Sequence, residues 1–215
     1  MANPALPSRA SFEELSLVAV EQRGHVKWYR PSECLWSSNI NIDGKVYIND
    51  QYSEFKVLST EVLGVRHINM AMVYDSLLVA TSDGASVERI KELLLELNSL
   101  LITESKPRDP ERLLRSLILP VRCPGDNSPS LYSREMAFVV VDQEDIFQAF
   151  RDRITYLDFS LHEACRLRPF IYWAGLETKY LSRCVEAVSK VQGGVEFPIR
   201  DPNRDVKRKA YGLLR

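Results

Sequence analysis

The stretch from Ser160 to Val188, SLHEACRLRPFIYWAGLETKYLSRCVEAV, limits the fold more than any other. Ser160 and Glu163 have the spacing of a capping box, in which each side chain accepts a hydrogen bond from the other residue's backbone N–H, so a helix is predicted to start there. Pro169 breaks it, because proline has no N–H and its ring biases Arg168 away from the α region. Phe170, Ile171, Tyr172 and Trp173 form a dense apolar cluster on a short helical turn, and Gly175 suits a left-handed helix end. Tyr180, Leu181, Cys184, Val185 and Val188 then mark one face of a predicted last long helix, closed by Gly193-Gly194. Such a segment has to bury its apolar side against another element of the chain, and it carries no catalytic pattern.

The clearest partner is Ser86 to Leu101. Val87, Ile90, Leu93, Leu94, Leu97, Leu100 and Leu101 recur at helical spacing, with charged residues elsewhere and Ser86 as the N-cap. A leucine stripe of this kind predicts core. Two more helices are predicted upstream: Tyr52 to Leu63, with Tyr52, Phe55, Leu58 and Val62 on one side and Gly64 as the stop, and Ile68 to Leu78. A first helix is expected after a Ser11/Glu14 capping box, running through Phe12, Leu15, Val18 and Ala19.

Strand signals are shorter. Val26, Trp28 and Tyr29 suggest a strand ending at Pro31, and Trp28 and Trp36 around the proline turn suggest a local packing knot. Asn39 to Asp50, NINIDGKVYIND, alternates apolar and polar residues around Asp43-Gly44 and predicts a β-hairpin. Its register stays open. A two-residue loop suits the turn chemistry, whereas a three-residue loop keeps Ile40, Ile42, Val46 and Ile48 on one face. Further on, Pro110 opens a short helix behind Asp109, and Leu117–Val121 reads as a strand interrupted by Pro120. CPGDNSPS (123–130) is a turn, Met136–Val141 a buried strand, and Ile154–Phe159 a further strand, with a short helix through Ile146, Phe147 and Phe150 between the last two.

The expectation is therefore an α+β fold, helix-rich with short strands and one β-hairpin. Residues 1–10 form a flexible tail, 11–106 a helix-rich N-terminal part with the hairpin, and 107–215 an α+β C-terminal part ending in a basic helix. The Lys106–Pro110 segment marks the division. The abrupt ending at Leu214-Arg215 suggests a fragment of a longer protein.

Charge excludes some function classes. Lys plus Arg number 28 against 29 Asp plus Glu, a net charge of −1, so no global positive field exists to hold nucleic acid or an anionic membrane. No apolar run approaches the ~20 residues of a membrane-spanning helix. The opening residues lack the apolar core of a secretory signal. The cysteines Cys34, Cys123, Cys165 and Cys184 form no Cys-x-x-Cys pair, and a chain of 215 residues needs no disulfide framework. Reduced thiols in the cytoplasm or nucleus follow as the simplest reading.

Chemistry-bearing patterns are sparse. His162 and Cys165 share a helix face at i and i+3 and Cys184 lies further on, but no fourth metal ligand is evident. Buried structural cysteines are the preferred reading. A cysteine-dependent enzyme using Cys165 and His162 is an alternative, without nucleophile-elbow glycines to support it. No phosphate-binding glycine loop is present. Residues 160–189 loosely match helix-turn-helix spacing, and the tail carries Arg200, Arg204, Lys207, Arg208, Lys209 and Arg215 against Asp201 and Asp205. Nucleic-acid binding through that tail is the second alternative, weakened by the mixed charge of Glu177, Lys179, Arg183, Glu186 and Lys190 on the outward face of the last helix.

Two stretches carry a family resemblance. WYRPSECLWSS (28–38), with Tyr52 and VLGVRHINMAMVYDSL (62–77), resembles a segment of very large fungal proteins, and DFSLHEACRLRPFIYWAGLETKYLSRCV (158–185) resembles a later segment of the same proteins. These are multidomain chains of the sacsin and NO VEIN type, with an ATPase of the gyrase, chaperone and histidine-kinase (GHKL) class upstream. The resemblance covers about residues 25–190. It implies that nucleotide binding belongs to a part of the parent absent from this chain, since Asp43-Gly44-Lys45 and Asp83-Gly84-Ala85 lack the second glycine of the Asp-x-Gly-x-Gly loop. It further implies a non-catalytic structural or partner-contact segment whose partners are other domains of that parent, with no cofactor and no metal of its own. The expected contact surface is Phe170, Tyr172, Trp173, Leu176 and Tyr180, weighed against the plainer reading that these residues are core.

Overall fold

The computed structural model describes residues 15–22, 24–36, 40–103 and 107–185. Strands β1 (Val18–Gln22) and β2 (His25–Tyr29) pair antiparallel, with Gln22 opposite His25 and Val18 opposite Tyr29. After a 3-10 turn at Pro31–Glu33, β3 (Cys34–Leu35) pairs in parallel with β4 (Val46–Tyr47). Helix α1 (Asn49–Tyr52) is followed by a 3-10 turn at Ser53–Phe55 and a π-helical turn at Leu58–Val62. Then come the long helices α2 (Met70–Ser82) and α3 (Val87–Thr103), and the short α4 (Glu111–Leu114). Strands β5 (Leu119–Arg122) and β6 (Ser130–Tyr132), helix α5 (Glu144–Phe150) and strand β7 (Tyr156–Leu157) follow. The three strands form an antiparallel sheet in the order β6-β5-β7. The described part closes with α6 (Leu161–Arg166), α7 (Arg168–Trp173), a 3-10 turn at Glu177–Lys179, and α8 (Leu181–Cys184). This is an α+β fold.

Helix α3 is the centre of the main core. Ile90, Leu93, Leu94 and Leu97, at i, i+3, i+4 and i+7, have no solvent exposure. They meet Val73, Tyr74 and Leu77 of α2, Leu113 and Leu114 of α4, Leu119 and Val121 of β5, and Phe170 and Ile171 of α7. Each such side chain contributes about 1.5–3 kcal/mol by leaving water. The predicted leucine stripe is core.

One polar side chain is embedded in this layer. Asn98 of α3 donates from Nδ2 to the Arg166 carbonyl at 3.0 Å and accepts at Oδ1 from the Phe170 N–H, also at 3.0 Å. Arg166 ends α6 and Phe170 lies in the first turn of α7, so Asn98 satisfies backbone groups that the break between them leaves without helical partners. A break is present, but it falls at Leu167 (φ −75, ψ +4), and Arg168 and Pro169 are the first two residues of α7. The Ser160/Glu163 capping box is complete, and Gly175 takes φ +63 with the Leu176 N–H returning to the Ile171 carbonyl at 2.9 Å.

A smaller cluster lies beside it: Val18, Val20, Cys34, Trp36, Ile48 and Val65, with Tyr29, Val46, Tyr52 and Leu63 against it. Strand alternation at β3 sends Cys34 into the small cluster and Leu35 into the main one. The main core contains residues from both sides of 107–110, and the described residues up to Val185 form one compact unit. That segment therefore changes element without separating two cores.

Several local expectations are corrected. Val18 and Ala19 lie in a strand, because the Val18/Val20 alternation finds a partner in β2. The antiparallel hairpin is β1–β2, and β5–β6 makes a second antiparallel pair. Asp43-Gly44 does turn the chain, with the Lys45 N–H on the Ile42 carbonyl at 3.0 Å, but Val46 and Tyr47 pair with Cys34 and Leu35. Parallel pairing with a more distant strand displaces the local hairpin. No tryptophan knot forms: Trp36 is buried, whereas Trp28 is 59% exposed. Pro120 sits inside the central strand β5. Met136–Val141 makes only isolated bridges, Val139 with Tyr156 and Val140 with Tyr180, although Phe138, Val140 and Val141 are buried. Tyr180 (ψ +133) and Val185 (φ −115, ψ +127) are not helical, so among the described residues the expected last helix is confined to Leu181–Cys184. The 1–10 tail, the Ser11/Glu14 capping box and the basic helix at the C-terminus fall outside the described residues.

Candidate functional site

The aromatic cluster divides by helical geometry. Phe170 and Leu176 have no exposure and belong to the main core. Trp173 is half-buried, with Nε1 donating to the Arg108 carbonyl at 2.7 Å and its ring tilted against Phe170 at 6.0 Å and edge-on to Tyr74 at 6.4 Å. Tyr180 is half-buried between the Val140 bridge and Leu181, whose N–H donates to the Val140 carbonyl at 2.8 Å. Tyr172 is 77% exposed. Of the five expected contact residues, Phe170 and Leu176 are thus packing residues, Trp173 and Tyr180 are largely so, and Tyr172 alone faces solvent. Phe170 and Ile171 of α7, and Ala174 just after it, turn inward, which points Tyr172 out.

The cysteines separate in the same way. Cys34 is buried, and burial, then the Glu33 charge, pushes its thiol up to about 11. Cys165 and Cys184 are exposed, contrary to the expectation of buried thiols. Cys165 lines a hollow of about 230 Å³ with Val141, Asp142, Gln143, Ala164, Arg168 and Tyr180. His162 is exposed and does not line it, and among the described residues no hydrogen bond joins it to Cys165. Asp142 in this hollow is held by Ser182, whose N–H donates to Oδ1 at 3.0 Å and whose hydroxyl donates to Oδ2. Among the described residues no three His, Cys, Asp or Glu side chains converge on a metal position.

A larger hollow, about 440 Å³, brings together Lys91, Arg122, Arg151, Glu144, Asp158 and Glu163 over Phe147, Tyr156 and Phe159. Sequence reading missed it, because its members are scattered over α3, β5, α5, β7 and α6. Asp158 is its centre, accepting from Arg122 Nε at 2.8 Å and from Lys91 Nζ. Burial pushes the Asp158 carboxyl up, but the hydrogen bonds from Arg122 and Lys91 outweigh it and hold the group below the ordinary carboxylate range. Glu163 is held low chiefly by the Ser160 backbone N–H. Two of the three cations and all three carboxylates are thus occupied by internal bonds, Glu144 accepting from Gln148 Nε2 one turn on. The arrangement clasps α3 to β5 and β7 and leaves little charge to grip a ligand.

The least satisfied surface is apolar and lies earlier in the chain. Phe55 is 53% exposed, Leu58 47% and Val62 47%, and Val57 beside them 63%. Phe55, Leu58 and Val62 are three of the four residues of the predicted face of the 52–63 segment and are turned outward, whereas the fourth, Tyr52, packs against the small cluster. On the hairpin, Val26 and Trp28 are 61% and 59% exposed, and Leu15 and Leu17 add to the same part of the chain.

A family model described as a domain of unknown function (DUF8348) matches residues 71–185, more than half of the chain. The chain belongs to this family. No curated protein and no solved structure matches it. The family span starts just inside α2 and ends just past α8, so it takes in the leucine helix, the three-stranded sheet and the Ser160–Trp173 helices. The hairpin, β3, β4 and the exposed 55–62 turn lie before it. Among the described residues no helix is long and apolar enough to cross a membrane.

Proposed function

We propose that this chain is a non-catalytic partner-contact module in which the DUF8348 span is the scaffold and the preceding residues present the contact surface. The observation that carries this reading is the exposure of Phe55, Leu58 and Val62, at i, i+3 and i+7, with Val57 exposed as well, beside a sealed core. Large apolar side chains left exposed together on one face mark interaction surfaces. We further propose that the chain is part of a larger protein of the sacsin and NO VEIN type, whose GHKL ATPase lies elsewhere in the parent, and that it acts in the cytoplasm or nucleus. The resemblance of residues 28–38 and 158–185 supports that placement.

Site-specific photocrosslinking tests the reading. A benzoylphenylalanine in place of Phe55, in cells that express the chain, should yield one discrete adduct, and the same probe in place of Ile102 should yield none. Ile102 is 69% exposed but stands alone near the end of α3. Equal labelling at both positions, or none at either, would remove the proposal.

A further inference from the structure

The two strands of the hairpin have opposite outer edges. In an antiparallel pair, hydrogen-bonded and non-hydrogen-bonded residue pairs alternate. On β1, Glu21 donates its N–H to Gln51 Oε1 at 3.1 Å and accepts at its carbonyl from Gln51 Nε2 at 2.8 Å, and the Ala19 carbonyl accepts from Tyr52 Oη at 2.7 Å. The backbone groups of Ala19 and Glu21 therefore point away from β2, and helix α1 closes that edge. Their cross-strand neighbours are Trp28 and Val26. It follows that the N–H and C=O groups of Val26 and Trp28 point away from β1, and among the described residues nothing bonds them. All of β2 except Tyr29 is exposed.

We infer that β2 is an acceptor edge for an extended segment of a partner protein that alternates apolar and acidic residues. Backbone pairing would use the outward N–H and C=O groups of Val26 and Trp28, as in strand addition generally. Apolar side chains of the added strand would lie along Val26 and Trp28. Acidic ones would face Lys27 on the opposite side, and Arg30 at the end of the edge adds a second positive charge. Glu21 belongs to the other strand and Glu33 is taken up by the Arg30 N–H at 2.8 Å, so the edge itself presents positive charge. A second copy fits poorly. Symmetric pairing centred on Lys27 sets two ammonium groups opposite each other. Centring on Trp28 calls on the Arg30 N–H, which Glu33 already holds. Centring on Val26 sets Trp28 against Gly24, where the strand has ended and φ is +78.

This proposal rests on the partner-contact reading and narrows it to one edge and one ligand chemistry. The test uses the full chain and a fluorescein-labelled decapeptide alternating valine and glutamate, followed by anisotropy. Saturable binding that weakens with salt and is abolished by N-methylation of alternate peptide residues is expected. Val26→Pro should lower affinity about tenfold or more, since it removes an outward N–H that the β1 ladder does not use. Lys27→Glu leaves the backbone intact, and it should lower affinity about fivefold and shift preference towards a valine/lysine peptide; it decides the matter if Val26→Pro fails to fold. Absence of saturable binding, binding indifferent to N-methylation, or a dimer of the chain alone that Lys27→Glu strengthens would overturn the proposal. A discrete adduct from position 55 together with no peptide binding would overturn the edge assignment alone, whereas failure of both would remove the contact reading as well.

Discussion

The DUF8348 span and the residues before it differ in how they treat apolar side chains. Within 71–185, α3 is lined on one face by residues with no exposure, and its one buried polar side chain, Asn98, has both ends hydrogen-bonded. Before residue 63 the buried set is small, and Leu15, Leu17, Val26, Trp28, Phe55, Val57, Leu58 and Val62 lie at the surface. Helical periodicity alone therefore does not indicate core. Phe55, Leu58 and Val62 have the same spacing as residues of α3, yet no layer covers them among the described residues. A periodic face becomes core only where another element lies against it.

The contrast can be broken most directly at Phe170. Phe170→Ala should cost about 3–5 kcal/mol in chemical denaturation, as for a large buried ring. Phe55→Ala should stay within about 0.5 kcal/mol of the parent. Similar losses at the two positions would erase the distinction. Next in size is Asn98→Leu, which removes two buried hydrogen bonds and leaves the Phe170 N–H and the Arg166 carbonyl unpaired, at a cost of about 2–4 kcal/mol. Unchanged stability would mean that α6 and α7 are joined without α3.

The Asp158 clasp sharpens the same comparison through pH. Its carboxyl is held low in the folded protein, so in acid the unfolded chain binds the proton first and stability falls as pH drops. That contribution is present above the unfolded carboxylate value of about 3.9 and is lost as pH falls through the folded value. Asp158→Asn should flatten this acid limb, measured as thermal midpoint against pH. An unchanged slope would place the acid sensitivity elsewhere. The smallest effect concerns thiols. Cys165 and Cys184 should react with a maleimide in the native state, and Cys34 only after denaturation, read by mass spectrometry. Native labelling of Cys34 would show that the small cluster opens readily.

Much of the scaffold was legible beforehand for local reasons. The capping box at Ser160, the break near Pro169, the Gly175 stop and the α3 stripe depend on residues within a few positions of one another. The candidate site was hardly legible. Composition does not say which side of a one-turn helix meets the core, so the contact-surface and core readings of Phe170, Tyr172, Trp173, Leu176 and Tyr180 could not be separated residue by residue; Phe170 and Leu176 are core. The charged hollow needed Lys91, Arg122 and Asp158 to be brought together by the fold, and no spacing in the chain announces them. Of the exposed hairpin, β2 has a strand signal of its own in Val26, Trp28 and Tyr29, whereas β1 shares its residues Val18 and Ala19 with a helical spacing and becomes a strand only by pairing with β2.

The start of α6 at Ser160, the stop at Gly175 and the extent of α3 were local properties, since caps and left-handed glycines act through bonds to near neighbours. The sequence by itself also determined which long helix forms the centre, since seven apolar positions on one face leave no other use. Only the tertiary structure decided that Val46 and Tyr47 pair with Cys34 and Leu35 and not with their own turn partners, that Asn98 satisfies the gap between α6 and α7, and that Gln51 and Tyr52 close one edge of the hairpin while leaving Val26 and Trp28 open. Each of these depends on which distant groups compete for the same hydrogen bond or the same apolar face, and that competition is settled only when the chain has packed.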